Sequence, residues 1–324
     1  TNVHVRRTVM TTILQVKERI FLNKYVIKRI GLAIVTLVII SLITFFAMNA
    51  IPGGPFDTEK ATSPEVKAVL EKRYNLDKPI VEQYFIYMGN LLHGDWGVSI
   101  KTGRDIWQTM STSFSISAKL GGMALLISVI FGVVLGSIAA LTRNKWPDRL
   151  IVFFTTLMTA MPSFVLATLL LYLFCIKLGW IQVWSAHSHN YLLPVISLAL
   201  YPMAYITRLT KTSMLDALGQ DYVRTARAKG VSQAKVIFKH TLRNALIPVV
   251  TYVGPEIAYI ITGSMVVENI FTIGGLGQKF VTSIYNRDYT MIMATTMFLA
   301  IIMVIANLLT DIAYKCIDPR INLE

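Results

Sequence analysis

The sequence predicts an all-α membrane protein that crosses the bilayer six times, and three observations carry that expectation. Of its 324 residues, 54% are hydrophobic and 15% charged, and the mean hydropathy is +0.56, a balance that belongs to integral membrane proteins. Six apolar stretches, near 30–51, 120–141, 150–176, 191–208, 245–267 and 290–314, are long enough to cross about 30 Å of hydrocarbon as helices. Between the fourth and fifth lies a strongly basic segment, 221–248, that hydrocarbon cannot hold. Closed barrels would need alternating strands, and runs such as Ile34 to Phe46 do not alternate.

Taken in order, residues 1–29 read as a cytoplasmic N-terminal segment, either a mobile tail or one in which Ile13, Val16, Ile20 and Phe21 form a short interfacial helix. The first span, 30–51, is too long for a signal-peptide core and remains as an anchor. An extracellular segment, 52–119, opens with the turn-forming Pro52-Gly53-Gly54-Pro55. It should hold two helical stretches, Pro64 to Tyr74 and Pro79 to Leu92, the first with Pro64 suited to an opening helical turn. Together they would form a small cap over the outer mouth. Residues 120–314 carry spans two to six, with a loop at about 216–244, and 315–324 form a cytoplasmic tail. On the second span Gly132, Gly136 and Ala140 recur every four residues, a spacing that lets helix backbones approach, here within one subunit. Pro162, Pro202 and Pro255 fall inside apolar runs and favour kinks. The fourth span is short and carries Pro194 and Pro202.

Basic residues set the orientation. With the N-terminus inside, cytoplasmic segments hold seven Lys and Arg before Ile30, three in 142–149, eight in 208–244 and two after Tyr314. Outside lie eight in 52–119, one in 177–190 and two in 268–289, and the eight are matched by eight acids in a long loop. Both termini and the basic loop are therefore expected in the cytoplasm. The net charge of +13 arises from that topology, and no nucleic acid is expected as a partner.

The basic segment is patterned as structure. Arg224, Arg227, Lys229, Lys235, Lys239 and Arg243 would cost on the order of 18 kcal/mol to place in lipid, at about 3 kcal/mol each. Gly230 divides two helical stretches. Beyond it Ser232 suits an N-cap, Ala234, Ile237, Phe238, Thr241 and Leu242 share one face, and Lys235, Lys239 and Arg243 share another. A helix pair that is greasy on one side and cationic on another suits docking to a partner protein.

These residues carry a resemblance. Asp221-Tyr222-Val223-Arg224-Thr225-Ala226-Arg227-Ala228-Lys229-Gly230, then Lys239-His240 and Leu242-Arg243-Asn244-Ala245-Leu246-Ile247-Pro248, resemble the EAA loop of the permease subunits of ATP-binding-cassette importers. The form is that of the oligopeptide, dipeptide and nickel permeases, with Arg224-Thr225-Ala226 where the general motif has Glu-Ala-Ala. Gly254-Pro255, Thr262-Gly263-Ser264, Val267-Glu268, Ile270-Phe271, Gly275-Leu276-Gly277 and Arg287-Asp288 extend the match, as does His93-Gly94-Asp95-Trp96-Gly97, and it covers residues 24 to 319. The resemblance implies the type I importer permease fold with six transmembrane helices, a small helical extracellular insertion and a cytoplasmic coupling helix. It implies a bacterial or archaeal cell (inner) membrane protein that takes up oligopeptides or dipeptides by alternating access. Glutathione or nickel uptake is the alternative within the family. A stand-alone secondary transporter would need more membrane-embedded ionisable groups than this sequence offers. The implied partners are a second homologous permease, two ATPase subunits that bind ATP and Mg, an extracellular substrate-binding protein, the peptide and the lipid bilayer. The coupling loop would comprise Asp221, Tyr222, Arg224, Ala226, Arg227, Ala228, Lys229, Gly230, Val231, Ile237 and Lys239. Its apolar face, at Ala226, Ala228, Val231 and Ile237, would seat in a groove on an ATPase.

No catalytic residues, bound cofactor or metal are expected in the chain itself. The Walker pattern is absent, as are HExxH and GxSxG. Gly274-Gly275-Leu276-Gly277 reads as an external turn after the fifth span, and His187 with His189 supplies too few ligands for a metal. Glu256 reads as the one acid well inside a span. A carboxylate there is costly, so Glu256 with Tyr252 and Tyr259 is expected either on an aqueous translocation pathway or in a structural hydrogen bond. Asp311, near the end of the last span, is expected to be structural.

Overall fold

The computed structural model describes residues 27–56, 63–185 and 188–317, with side chains as far as 311. The expected interfacial helix before residue 24, His187 and the last residues of the tail lie outside them. The described helices are α1 (Ile27–Ala50), α2 (Pro64–Arg73), α3 (Ile80–Leu92), α4 (Ile106–Leu141) and α5 (Trp146–Ala160). Next come α6 (Ser163–Lys177), α7 (Leu192–Leu218) and α8 (Asp221–Ala228). A run over 233–245, here α9, has a π-helical centre at Val236–Leu242. The last four are α10 (Ile247–Ile261), α11 (Met265–Ile270), α12 (Leu276–Asn286) and α13 (Tyr289–Ile317). Among the described residues, extended pairing is limited to two isolated bridges, Val98 with Asp105 and Ser185 with Ser188.

Five of these helical segments are long and apolar enough to cross a membrane, and α5 with α6 makes a sixth if the pair is one span. That pair bends by 105°. The apolar run at 150–176 is therefore one stretch in sequence and two helices in space. Met161 adopts φ −88° and ψ 133° before Pro162, the extended conformation that a proline imposes on the residue before it. Pro202 and Pro255, by contrast, lie within continuous α7 and α10. The fourth span, expected to end at 208, continues as helix for ten more residues to Leu218.

The chain divides into two compact units, residues 1–51 with 296–324, and residues 52–295. In the first, α1 and the second half of α13 are joined by Arg29 and Asp311, 2.6 Å apart, which gives Asp311 the structural role expected of it.

In the second unit the central pair is α4 with α7. Gly132 and Gly136 are buried between the two helices: a Cβ on Gly132 would strike Ile206, and one on Gly136 would strike the Thr207 carbonyl and Thr210. The small-residue repeat thus packs helices within one subunit, as the sequence implied. Ser128 Oγ donates across the pair to the Ala199 carbonyl at 3.0 Å. Leu120, Ala124, Ala167, Leu193, Val195, Ala199, Val267, Phe271 and Ile273 form one core. Buried Asp148 holds α5 to α7, accepting from Lys211 at 2.5 Å and from the Asn144 amide at 2.9 Å. The insertion is strapped to the start of α13 through buried Asp288, which accepts from Ser99 Oγ at 2.5 Å and from the Ile100 amide at 3.2 Å.

Gly136→Leu should destabilise the folded chain in detergent by about 1–3 kcal/mol, the usual cost of overpacking. Gly122 has open space at its Cβ position on the same helix, so Gly122→Leu should leave the melting temperature unchanged. Equal melting temperatures for the two variants would contradict this account of the helix pair.

Candidate functional site

Three local structures stand out: the basic loop, a polar stripe on α7 and α10, and a buried carboxylate at the break in the fifth span.

The loop folds on itself. α8 ends at Ala228 with Lys229 as its C-cap, and Gly230 takes φ +77°, a left-handed conformation that side chains with a Cβ resist. The Gly230 amide donates to the Arg227 carbonyl at 2.9 Å and the Val231 amide to the Ala226 carbonyl at 3.2 Å. This is a Schellman end, and its usual apolar contact is made by Val231 on Ala226. Val223, Ala226 and Val236 are buried together beneath it. Ile237 packs elsewhere, against the cluster of Ala140, Met214, Ala217 and Ala245. Here the structure corrects the expected docking face. Ala226 and Ile237 turn inward and Val231 is half-buried, so only Ala228 of that quartet is exposed. The outer surface instead presents Asp221, Tyr222, Arg224, Arg227, Ala228, Lys229, Gly230, Lys235 and Lys239. Phe238, 69% exposed, stands among them. The π turn separates it from Thr241, whose hydroxyl donates to the Val236 carbonyl five residues back and stays buried.

Tyr252, Glu256 and Tyr259 share a face of α10. The ring of Tyr252 stacks on Tyr205 of α7, with centroids 4.3 Å apart. Half-buried Glu256 lies one turn further along α10. Tyr259 is 66% exposed. The three residues lie along one face of α10, and Tyr205 of α7 packs against the first of them.

The acid that hydropathy does not single out is Glu268. It sits one residue beyond the expected end of the fifth span, yet it is completely buried. Ser117 Oγ of α4 donates to Glu268 Oε1 at 2.7 Å, and the Gln278 amide donates to Oε2 at 3.1 Å. The amides of Gly277 and Ser264 also turn toward it. Ser117 Oγ in turn accepts from the Leu276 amide at 2.8 Å. The carboxylate therefore terminates the N-terminus of α12, where free amides and the helix dipole favour negative charge. A Cβ on Gly263, Gly275 or Gly277 would meet a Glu268 oxygen within 3.0 Å. The spacing of those glycines around an acid was the available signal.

Of the two histidines, described His189 stacks on Trp184 at 4.8 Å. No group of three or more His, Cys, Asp or Glu suited to a metal occurs among the described residues.

Helices long and apolar enough to cross a membrane, with a folded basic loop between two of them, describe a membrane protein. Residues 132–323 match the family of binding-protein-dependent transport system inner membrane components, and residues 22–121 match the N-terminal part of such membrane components. The chain belongs to this family. It is 45% identical to the dipeptide transport system permease protein DppB of Bacillus subtilis, over 93% of this chain and 98% of that one. Against the oligopeptide transport system permease protein OppB of Haemophilus influenzae the identity is 41%, over 92% and 99%. For OppB of Salmonella typhimurium it is 42%, again over 92% and 99%. A crystal structure of an amino acid ABC transporter with histidines superposes with a TM-score of 0.54 at 15% identity, covering 64% of this chain and 94% of that one. The fold is that of type I importer permeases.

Truncating Glu268 to Ala should leave the Ser117 hydroxyl and the α12 amides buried without an acceptor, costing about 1–3 kcal/mol for each such group. Ser117→Ala and Glu268→Gln should be coupled, with an interaction energy of about 0.5–3 kcal/mol in a double-mutant cycle on thermal unfolding. Strict additivity would refute the clamp.

Proposed function

We propose that this chain is a translocation subunit of a peptide importer, passing oligopeptides or dipeptides by alternating access while partner subunits hydrolyse ATP. The observation that carries the reading is the near full-length likeness to dipeptide and oligopeptide permease proteins, at 41–45% identity. The partners would be a second homologous permease, two ATPases holding ATP and Mg, and an extracellular binding protein that delivers the peptide. The chain itself would carry no catalytic group.

In this reading the membrane is the bacterial or archaeal inner membrane, with both termini and the basic loop in the cytoplasm and residues 52–119 outside. The excess of Lys and Arg at 208–244 supports that orientation. Cysteines placed at Ser63 and Ser232 should then react with impermeant reagents from opposite sides. Labelling of both from one side would overturn the topology.

The loop would receive the ATPases through its exposed surface. Tyr222 and Phe238 supply apolar anchors, and Arg224, Arg227, Lys229, Lys235 and Lys239 supply a cationic rim suited to an acidic groove. Ala228, small and exposed, marks the point of closest approach. The buried residues Val223, Ala226 and Val236 hold that surface in shape. Reconstituted with its partners, the wild type should take up short peptides in an ATP-dependent manner, in preference to glutathione or nickel. Ala228→Trp should abolish that uptake while the loop stays folded, because the added ring meets only the partner. Ala226→Trp should disrupt the loop itself and be seen in the isolated chain as increased proteolysis at 221–245. Undiminished uptake by Ala228→Trp would exclude docking at this surface.

A further inference from the structure

On α7, Tyr201, Tyr205 and Arg208 recur at i, i+4 and i+7, and all three are exposed. On α10, Tyr252, Glu256 and Tyr259 recur at the same spacing. Each trio lies on one face of its helix. The stack of Tyr205 on Tyr252, with planes 29° apart, joins the two faces into a single stripe. The stripe is not filled by the chain itself: Tyr201, Tyr205 and Tyr259 are 50%, 39% and 66% exposed.

Lipid is a poor neighbour for this face. A carboxylate at bilayer depth costs about 2.5–3.5 kcal/mol even on the gentlest scale. Such groups in spanning helices normally face a bundle interior or a water-filled cavity. The outward face of α4 differs from it, presenting Leu126, Ile130, Phe131 and Val134 with no charge among them.

The chemistry of the stripe selects its ligand. One carboxylate set among tyrosine faces complements a cation, since the π-face and the carboxylate both attract positive charge. We propose that Glu256, flanked by Tyr201, Tyr205 and Tyr252, receives the free α-ammonium of the transported peptide. The assignment rests on the peptide reading above. An unblocked peptide changes its side chains from one sequence to the next, whereas the terminal ammonium is constant. A permease that passes many peptides therefore gains a common handle by reading that group, and the tyrosine faces tolerate varied side chains on the rest of the peptide.

The test is chemical. A water-soluble carbodiimide activates a carboxylate, and a primary amine in contact then displaces the urea to leave an amide. The reconstituted complex, turning over a radiolabelled lysine-free dipeptide, should acquire the label on Glu256, located by mass spectrometry of the permease. The adduct should vanish with excess unlabelled peptide, with the N-acetylated dipeptide, and in Glu256→Gln. In that variant uptake of the free-amine dipeptide should fall at least about tenfold, as expected for truncating one partner of a desolvated charge pair. The variant complex should still assemble. An active wild-type complex with no adduct at Glu256 and full uptake by Glu256→Gln overturns this assignment and leaves the peptide reading standing. A cross-link from Glu256 to the second permease chain in place of peptide overturns it equally. A wild-type complex that imports no peptide overturns both.

Discussion

The arrangement of the fifth span depends on one buried carboxylate. Breaking a helix at membrane depth frees backbone amides and carbonyls that lipid cannot satisfy, so such breaks survive only where protein supplies the partners. Between Ile261 and Met265 the chain leaves helical geometry, with Gly263 at φ +97°. Glu268 then collects the Ser117 hydroxyl and the first amides of α12, while Ser117 holds the Leu276 amide. The glycines at 263, 275 and 277 exist in this light to let backbone reach the carboxylate. A charge that is expensive alone becomes tolerable because several donors converge on it. The turn after the fifth span is consequently a rigid, tied structure.

Close backbone packing supplies the second constraint. With Gly132 and Gly136 against α7, there is no room for α4 and α7 to slide without collision. α7 is one uninterrupted helix of 27 residues, about 40 Å long, through the buried Pro202 to Leu218. It carries Tyr201, Tyr205 and Arg208 at mid-length and runs directly to the start of α8. On the proposed function, a force applied to the loop reaches the stripe through a single stiff element braced along its side. This geometry favours rigid-body motion over local rearrangement.

How much of this is legible in the sequence depends on which interactions are local. Hydropathy locates the first and last spans closely, because burial in lipid depends on composition over twenty residues and on little else. The small-residue repeat at 132, 136 and 140 is likewise legible, since spacing alone puts those positions on one face. The break at Met161 and Pro162 is less so. The same residue type leaves α7 and α10 continuous at Pro202 and Pro255, and whether neighbours re-satisfy the freed carbonyl is a tertiary matter. Ala226 and Ile237 mislead for a related reason. A short amphipathic helix shows in sequence that it has an apolar face, but the owner of the surface opposite is not encoded locally, and here it is Val236 and the ends of α4 and α7. Glu268 escapes because hydropathy places it at the edge of a span, while its burial is created by Ser117, 151 residues earlier.

The two glutamates of the fifth span differ in burial, and on the proposed function that difference divides a structural acid from a functional one. Glu268 is completely buried and its oxygens are occupied by fixed donors, so it has nothing left to offer a ligand. Glu256 is half-buried and lies on the same face of α10 as the exposed Tyr259. That incompleteness suits a transport path. A site that must accept a solute and then let it go needs binding favourable enough for entry and weak enough for exit. A full set of donors and counter-charges would trap the substrate, and a purely apolar groove would not draw a zwitterion out of water. One carboxylate with a few tyrosine faces lies between these limits. On the proposed function, the partial exposure of Glu256 in the single chain is what a transient contact in the assembled pathway requires.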